Sequence, residues 1–172
     1  MFVTNVSADY NGIVLFEPTL LTKRYSPLLD GTNLFKKFTT TDEGDEILRE
    51  GLIVPVLAID SAGYSIVVRD TDEPTGFAGC ELVVENAEYA LNVESRLVIA
   101  DLAVLVEWAS DEGWQDVDGV SPGLYSVSVR GWRRKEKAEI VEAGYEFVLR
   151  RQAALPEVTA DTGKIMQIFR HD

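Results

Sequence analysis

The chain has 172 residues, 46% hydrophobic and 26% charged, with 29 Asp and Glu against 16 Lys and Arg and a formal net charge of −13. This length and apolar content suffice for a domain with a buried core and exclude a wholly disordered chain. The acidic excess opposes any general attraction to polyanions or anionic membranes and favours basic partners.

Cys80 is the only cysteine, so no intramolecular disulfide can form, as expected of a protein from a reducing compartment such as the cytoplasm. His171 is the only histidine and stands next to the last residue, which argues against a nucleophile–histidine pair and against a histidine-rich metal site. The start, "MFVTNVSADYNG", lacks the basic residues and long apolar run of a secretory signal. Apolar runs such as "LAVLV" (102–106) are far shorter than a membrane span.

Along the chain, "YNGIVLFEP" predicts a strand that stops at Pro18. Residues 19–50 read as an irregular excursion with room for a short helix. Its end, "TTDEGDEILREG", is a helical turn with Thr41 or Asp42 as cap, acids in the first turn and Gly51 as terminator. "LIVPVLAID" is a strand whose Pro55 cannot donate a ladder bond, which places it at an edge or at a bulge. "SAG" turns the chain into "YSIVVRD", read as the second half of a hairpin, with Tyr64, Ile66 and Val68 buried and Ser65 and Arg69 on a wetter face. After the polar loop "DTDEPTG", "CELVVE" sets Leu82 and Val84 on one face and Glu81 and Glu85 on the other.

Asn86 and Ala87 are candidates for a turn; Leu91 and Val93, then Leu97 and Ile99, continue the strand rhythm. Over 101–108 periodicity does not arbitrate, and Val104, Leu105 and Val106 favour strand. "SDEGWQDVDGVSPG" is a loop of acids and glycines. "GLYSVSVRGW" is the clearest strand, with Tyr125, Val127 and Val129 facing one way and Ser126, Ser128 and Arg130 the other. "YEFVLRRQ" repeats the rhythm through Tyr145, Phe147 and Leu149. Paired as a hairpin, the two strands set Val127 opposite Leu149, Val129 opposite Phe147 and Arg130 opposite Glu146, the last an opposite-charge pair. A short final strand is expected at 164–169. The fold class is therefore mostly β: one domain over 1–172, an antiparallel β-sandwich with one or two short helices.

Two charged stretches are candidate sites. "RGWRRKEK" (130–137) suits either a nucleic-acid platform, with a ring for stacking and cations for phosphates, or a hairpin connection with residues 133–137 in the loop. A third use is a grip on an acidic strip of a partner. Glu136, Glu139 and Glu142 follow directly and favour the hairpin. In the acidic stretch, Asp116, Asp118 and Gly119 match a fragment of a calcium-loop pattern, but position 125 is Tyr where that pattern needs Glu, so no metal site is predicted. Paired carboxylates are too frequent here to specify acid–base chemistry, and neither a phosphate-binding glycine loop nor a nucleophile elbow is present. These readings predict a protein that is not an enzyme and needs no cofactor. Trp108 is expected to end a core strand, while Trp114 either covers the core's edge or anchors a partner. Asp111, Glu112, Trp114, Asp116 and Asp118 together form the candidate partner-binding surface.

Asp9, Tyr10 and Phe16 in "ADYNGIVLFEP", and Pro122, Gly123, Tyr125, Val127, Val129 and Arg130 in "SPGLYSVSVRGW", carry a family resemblance. In the order of these pieces the chain resembles small bacterial β-sandwich proteins of the type that includes the competence-linked nuclease inhibitor, and immunity-type proteins encoded beside toxins. The resemblance implies an inhibitor that occludes a toxin, such as a nuclease. The expected partner is thus a basic protein, with no role for nucleic acid or membrane. The alternatives are a small-molecule-binding or enzymatic β-barrel and a phage or structural assembly component.

Overall fold

The computed structural model describes residues 1–170, so His171 lies outside the described residues. Among these, nine strands form two sheets. The five-stranded sheet runs β1 (Phe2–Ser7), β4 (Gly63–Asp70), β9 (Glu139–Gln152), β8 (Gly123–Glu136), β5 (Glu81–Val93). The four-stranded sheet runs β3 (Ile53–Leu57), β2 (Gly12–Phe16), β6 (Val98–Asp101), β7 (Gln115–Asp116). Only the β4–β9 ladder is parallel; the other ladders are antiparallel. The fold is mostly β.

Period-2 alternation builds the core between the sheets. Val127, Val129, Tyr145, Phe147 and Leu149 meet Ile13, Leu15, Val54, Val56 and Ile99, all buried. The opposite face of the four-stranded sheet is buried too. Val14, Phe16, Val98 and Ala100 pack beneath short helices that carry Leu21, Leu34, Ile47 and Leu105. Burial of β2 on both faces explains why "IVLF" is apolar without alternation.

The β8–β9 hairpin has the predicted register: Val127 faces Leu149, Val129 faces Phe147 and Arg130 faces Glu146. The arm is longer than expected. The strand continues to Glu136 and turns at Lys137 and Ala138, both at positive φ (49° and 70°). Two successive positive φ values match the twist of a two-residue hairpin loop. Residues 133–136 are therefore strand, not loop.

Four helices stand where one or two were expected: α1 (Pro18–Arg24), α2 (Leu34–Thr40), α3 (Glu43–Glu50) and α4 (Ala103–Val106). Pro18 ends a strand as read, but it also opens α1, where its missing N–H costs nothing. In α3, Asp42 makes no side-chain cap; Thr41 Oγ1 accepts from Glu43 N instead (3.2 Å), and Gly51 closes the helix at φ 74°. The segment 103–106 is a helical turn despite its valines, because burial in the second core overrides strand propensity.

Other expectations are corrected by packing. β3 and β4 do not form a hairpin: β3 pairs with β2 in one sheet, and β4 pairs with β1 and β9 in the other. Of the two places offered to Pro55, β3 takes the edge. Residues 86–87 do not turn the chain; β5 runs through them with a bulge. A second bulge after Leu82 breaks the predicted alternation, leaving Leu82 47% exposed and Val84 8%. Arg69 is buried, because residues 71–80 fold over the outer face of the sheet and stack Phe77 on Trp132. Gly144 permits this cover, since a Cβ there would lie 2.6 Å from the Phe77 ring. The tail at 164–169 makes no strand; Met166 and Ile168 sink into the core, and Tyr145 Oη and Arg133 Nη1 donate to their carbonyls (each 2.8 Å).

Candidate protein-binding surface

The acidic loop is held from below. Glu17, fully buried at the end of β2, accepts from Thr19 N (2.8 Å), Glu94 N (2.7 Å), Ser95 N (2.8 Å) and Arg96 N (3.1 Å). This fixes the backbone of Arg96. The Arg96 guanidinium then grips Asp116 (Nε 2.6 Å, Nη2 3.1 Å) and Asp111 (2.7 Å) and lies 5.2 Å from the Trp114 ring centre. Hydrogen bonds from Arg96 hold the Asp116 carboxyl below the usual carboxylate range, and the same two aspartates push the Arg96 guanidinium up.

Trp114 faces inward. Its ring packs edge-on against Phe16 (5.3 Å) and Trp108 (5.1 Å), and its Nε1 is buried with no partner among the described residues. It thus covers the edge of the second core. Trp108 is 2% exposed, as expected of a core residue, although a helix rather than a strand precedes it.

The five predicted surface residues are thereby divided. Asp111, Trp114 and Asp116 gather around Arg96. Asp118 lines a separate hollow with Asp70, Glu73 and Arg151. Glu112 alone faces the larger feature nearby, a cleft of about 590 Å³. That cleft holds four carboxylates, Asp30, Asp101, Glu107 and Glu112, beside Tyr10 and Trp108, and among the described residues no basic side chain lines it. Asp101 accepts from Asp9 N (3.2 Å) and Tyr10 N (3.3 Å), which presents Tyr10, 54% exposed, at the rim. Gly31 N donates to Trp108 O (2.7 Å) and Trp108 N to Thr32 O (3.0 Å), which brings Asp30 to the opposite side.

Sequence reading missed Tyr10, Asp30, Asp101 and Glu107 because four separate segments supply the cleft and no local pattern joins them. Among the described residues no group of three or more His, Cys, Asp or Glu is arranged to hold a metal ion, and no helix is long and apolar enough to cross a membrane.

Three of the arm's five basic side chains are paired within the chain, while Lys135 and Lys137 make no ion pair among the described residues. Arg130 Nε donates to Glu85 (2.7 Å), its register partner on β5, rather than to Glu146, its partner on β9. Arg133, 3% exposed, donates to Glu81 (2.6 Å). Arg134 pairs with Glu142 and Glu136. Glu146, fully buried, takes Arg69 Nε (2.8 Å), Thr75 Oγ1 (2.9 Å), Gly76 N (3.0 Å) and Trp132 Nε1 (3.2 Å). The Trp132 ring stacks on Phe77, which occupies the face a base would need.

No protein-family model matches the chain, and no curated protein matches it. Among solved structures, the chain is similar to "Crocagin biosynthetic gene J", at 14% identity and a TM-score of 0.44, over 87% of this chain and 94% of that one. A likeness of that depth carries no argument about function.

Proposed function

We propose that the protein is a non-catalytic inhibitor that binds a basic protein, in the manner of an immunity protein that covers the working surface of a toxin such as a nuclease. The observation that carries this reading is the cleft with four carboxylates and no cation. A lysine or arginine side chain of a partner would meet Asp30, Glu107 and Glu112 there, with Tyr10 as a rim contact of the kind enriched at interface hot spots. The net charge of −13 would speed encounter with a basic surface and repel polyanions that compete for it.

The test has two arms. A hexaarginine peptide is titrated into the chain and into the triple variant Asp30→Asn, Glu107→Gln, Glu112→Gln, which spares Asp101 and its structural hydrogen bonds. Saturable, salt-sensitive binding that the variant loses supports the cleft; equal binding by both proteins removes it. In the second arm, proteins of the native host are captured on the chain and on the variant, and any basic toxin-like protein retained, or encoded beside the chain, is co-expressed with each. Growth rescued by the chain and not by the variant supports the inhibitor reading. Failure of the chain to associate with any such protein overturns it.

A further inference from the structure

Apart from the acidic cleft and the hollow beside Asp118, the outer face of the five-stranded sheet carries a further hollow that is lined by two arginines. Beside the cover formed by residues 71–80 lies a trough of about 380 Å³. Its floor is Ser126 and Ser128 on β8, small side chains on the outward face of the sheet. Register places Arg150 of β9 directly opposite Ser126, and Arg130 follows two residues after Ser128 on the same face. Thr71, Ala87, Val148 and Thr159 complete the lining, and among the described residues Glu88 is its only carboxylate.

The donors outnumber their partners. Arg130 spends its Nε on Glu85, and its Nη groups make no hydrogen bond to protein among the described residues. Arg150 makes no ion pair or side-chain hydrogen bond among the described residues, and neither does the Ser128 hydroxyl. In a chain with 13 excess negative charges, two guanidiniums line this hollow with Glu88, and Glu85 holds one edge of the Arg130 guanidinium while Arg150 has no carboxylate of its own among the described residues.

We propose that this trough binds the phosphate group of a small phosphorylated molecule. Guanidinium groups recognise phosphate through paired, charge-assisted hydrogen bonds. The free Nη groups of Arg130 and the Arg150 guanidinium would reach the phosphate from β8 and β9, with the Ser128 hydroxyl between them. Glu88, on the neighbouring strand, would accept from a hydroxyl of the same ligand. The volume lies in the range of small-molecule sites. The overall acidity repels a polyanion over many contacts, whereas a small dianion in the trough responds mainly to charges within a Debye length.

The experiment is an amide NMR titration with inorganic phosphate, against sodium chloride at equal ionic strength, and then with glycerol 3-phosphate. The expected result is saturable shifts at Ser126, Ser128 and Arg150 with phosphate and not with chloride. Arg150→Ala should weaken binding about tenfold or more, the loss of one bidentate charged contact. Glycerol 3-phosphate should bind tighter than phosphate, and Glu88→Gln should remove that advantage. Vesicles of phosphatidic acid form a further arm, in which the excluding field predicts no binding. Shifts that are linear, that chloride reproduces, or that persist in both Arg150→Ala and Ser128→Ala would overturn the proposal, as would tighter binding to vesicles than to the free phosphate.

Discussion

The acidic loop and the basic arm carry opposite charge in sequence, yet both are organised by pairing within the chain. They differ in what pairing leaves over. On the arm, Arg130, Arg133 and Arg134 each have a carboxylate partner, and Trp132 is stacked and hydrogen-bonded. On the loop, Arg96 neutralises Asp111 and Asp116, but Glu112 extends into a cleft with three further carboxylates and no cation. Where opposite charges stand in register, as they do beside Arg130, Arg133 and Arg134, a run of one sign is consumed locally. In the cleft charge survives because Asp30 and Asp101, from other segments, join Glu107 and Glu112 and bring no cation with them.

The comparison can be broken most strongly at the base of the arm. Glu146→Ala removes a buried acceptor of four hydrogen bonds and leaves Arg69 charged without a carboxylate, held only by the Asp70 and Glu73 carbonyls. We expect a loss of about 3–5 kcal/mol by urea unfolding, with part recovered in the double variant Arg69→Met, Glu146→Leu. If Glu146→Ala unfolds at the wild-type urea concentration, the arm does not rest on this pair.

The same residue sets an acid limit. Burial pushes the Glu146 carboxyl up, but hydrogen bonds from Arg69, Gly76 and Thr75 outweigh it, so its folded pKa lies below the ordinary value. A depressed folded pKa contributes stability that is full above the unfolded value of about 4.3 and is lost as pH falls through the folded one. Stability should therefore decline in that acid window, and more steeply in the wild type than in Glu146→Ala. Parallel pH profiles would remove Glu146 from the account.

A smaller effect is expected where the arm holds the tail. Arg133→Ala leaves the buried Ile168 carbonyl without its donor and should cost about 1–3 kcal/mol. Hydrogen exchange should show the loss first in the tail around Met166 and Ile168. Uniform loss across β8 and β9 would indicate a general packing defect instead.

On the loop the expected thermodynamic effect is smaller still. Arg96→Met breaks an exposed clamp and should change stability by no more than about 1 kcal/mol. It unmasks Asp111 and Asp116, so association with hexaarginine should quicken at low salt and the gain should vanish at high salt. An unchanged on-rate would mean these aspartates do not contribute to steering. Least of all should follow from Arg134→Ala at the arm's tip, which should melt at the wild-type temperature.

Much of the sheet architecture was legible. The alternation through Tyr125, Val127 and Val129 and again through Tyr145, Phe147 and Leu149 led to the observed register, because a side-chain period of two and a short connection leave few alternatives. Legibility failed where packing outvoted local preference. Val104 and Leu105 turned helical under the second core, and Met166 and Ile168 filled that between the sheets without joining a strand. Of the candidate surface, the loop was legible and the cleft was not, since Tyr10, Asp30 and Asp101 have no sequence relation to Glu112.

By itself the sequence determined a mostly β chain, its principal hairpin and its acidic excess, because periodicity, turn residues and composition act over a few neighbouring positions. Tertiary structure alone decided which charges remain available. Arg96 reaches Asp116 across 20 positions and Arg69 reaches Glu146 across 77, and ion pairing follows distance in space, to which order along the chain is no guide.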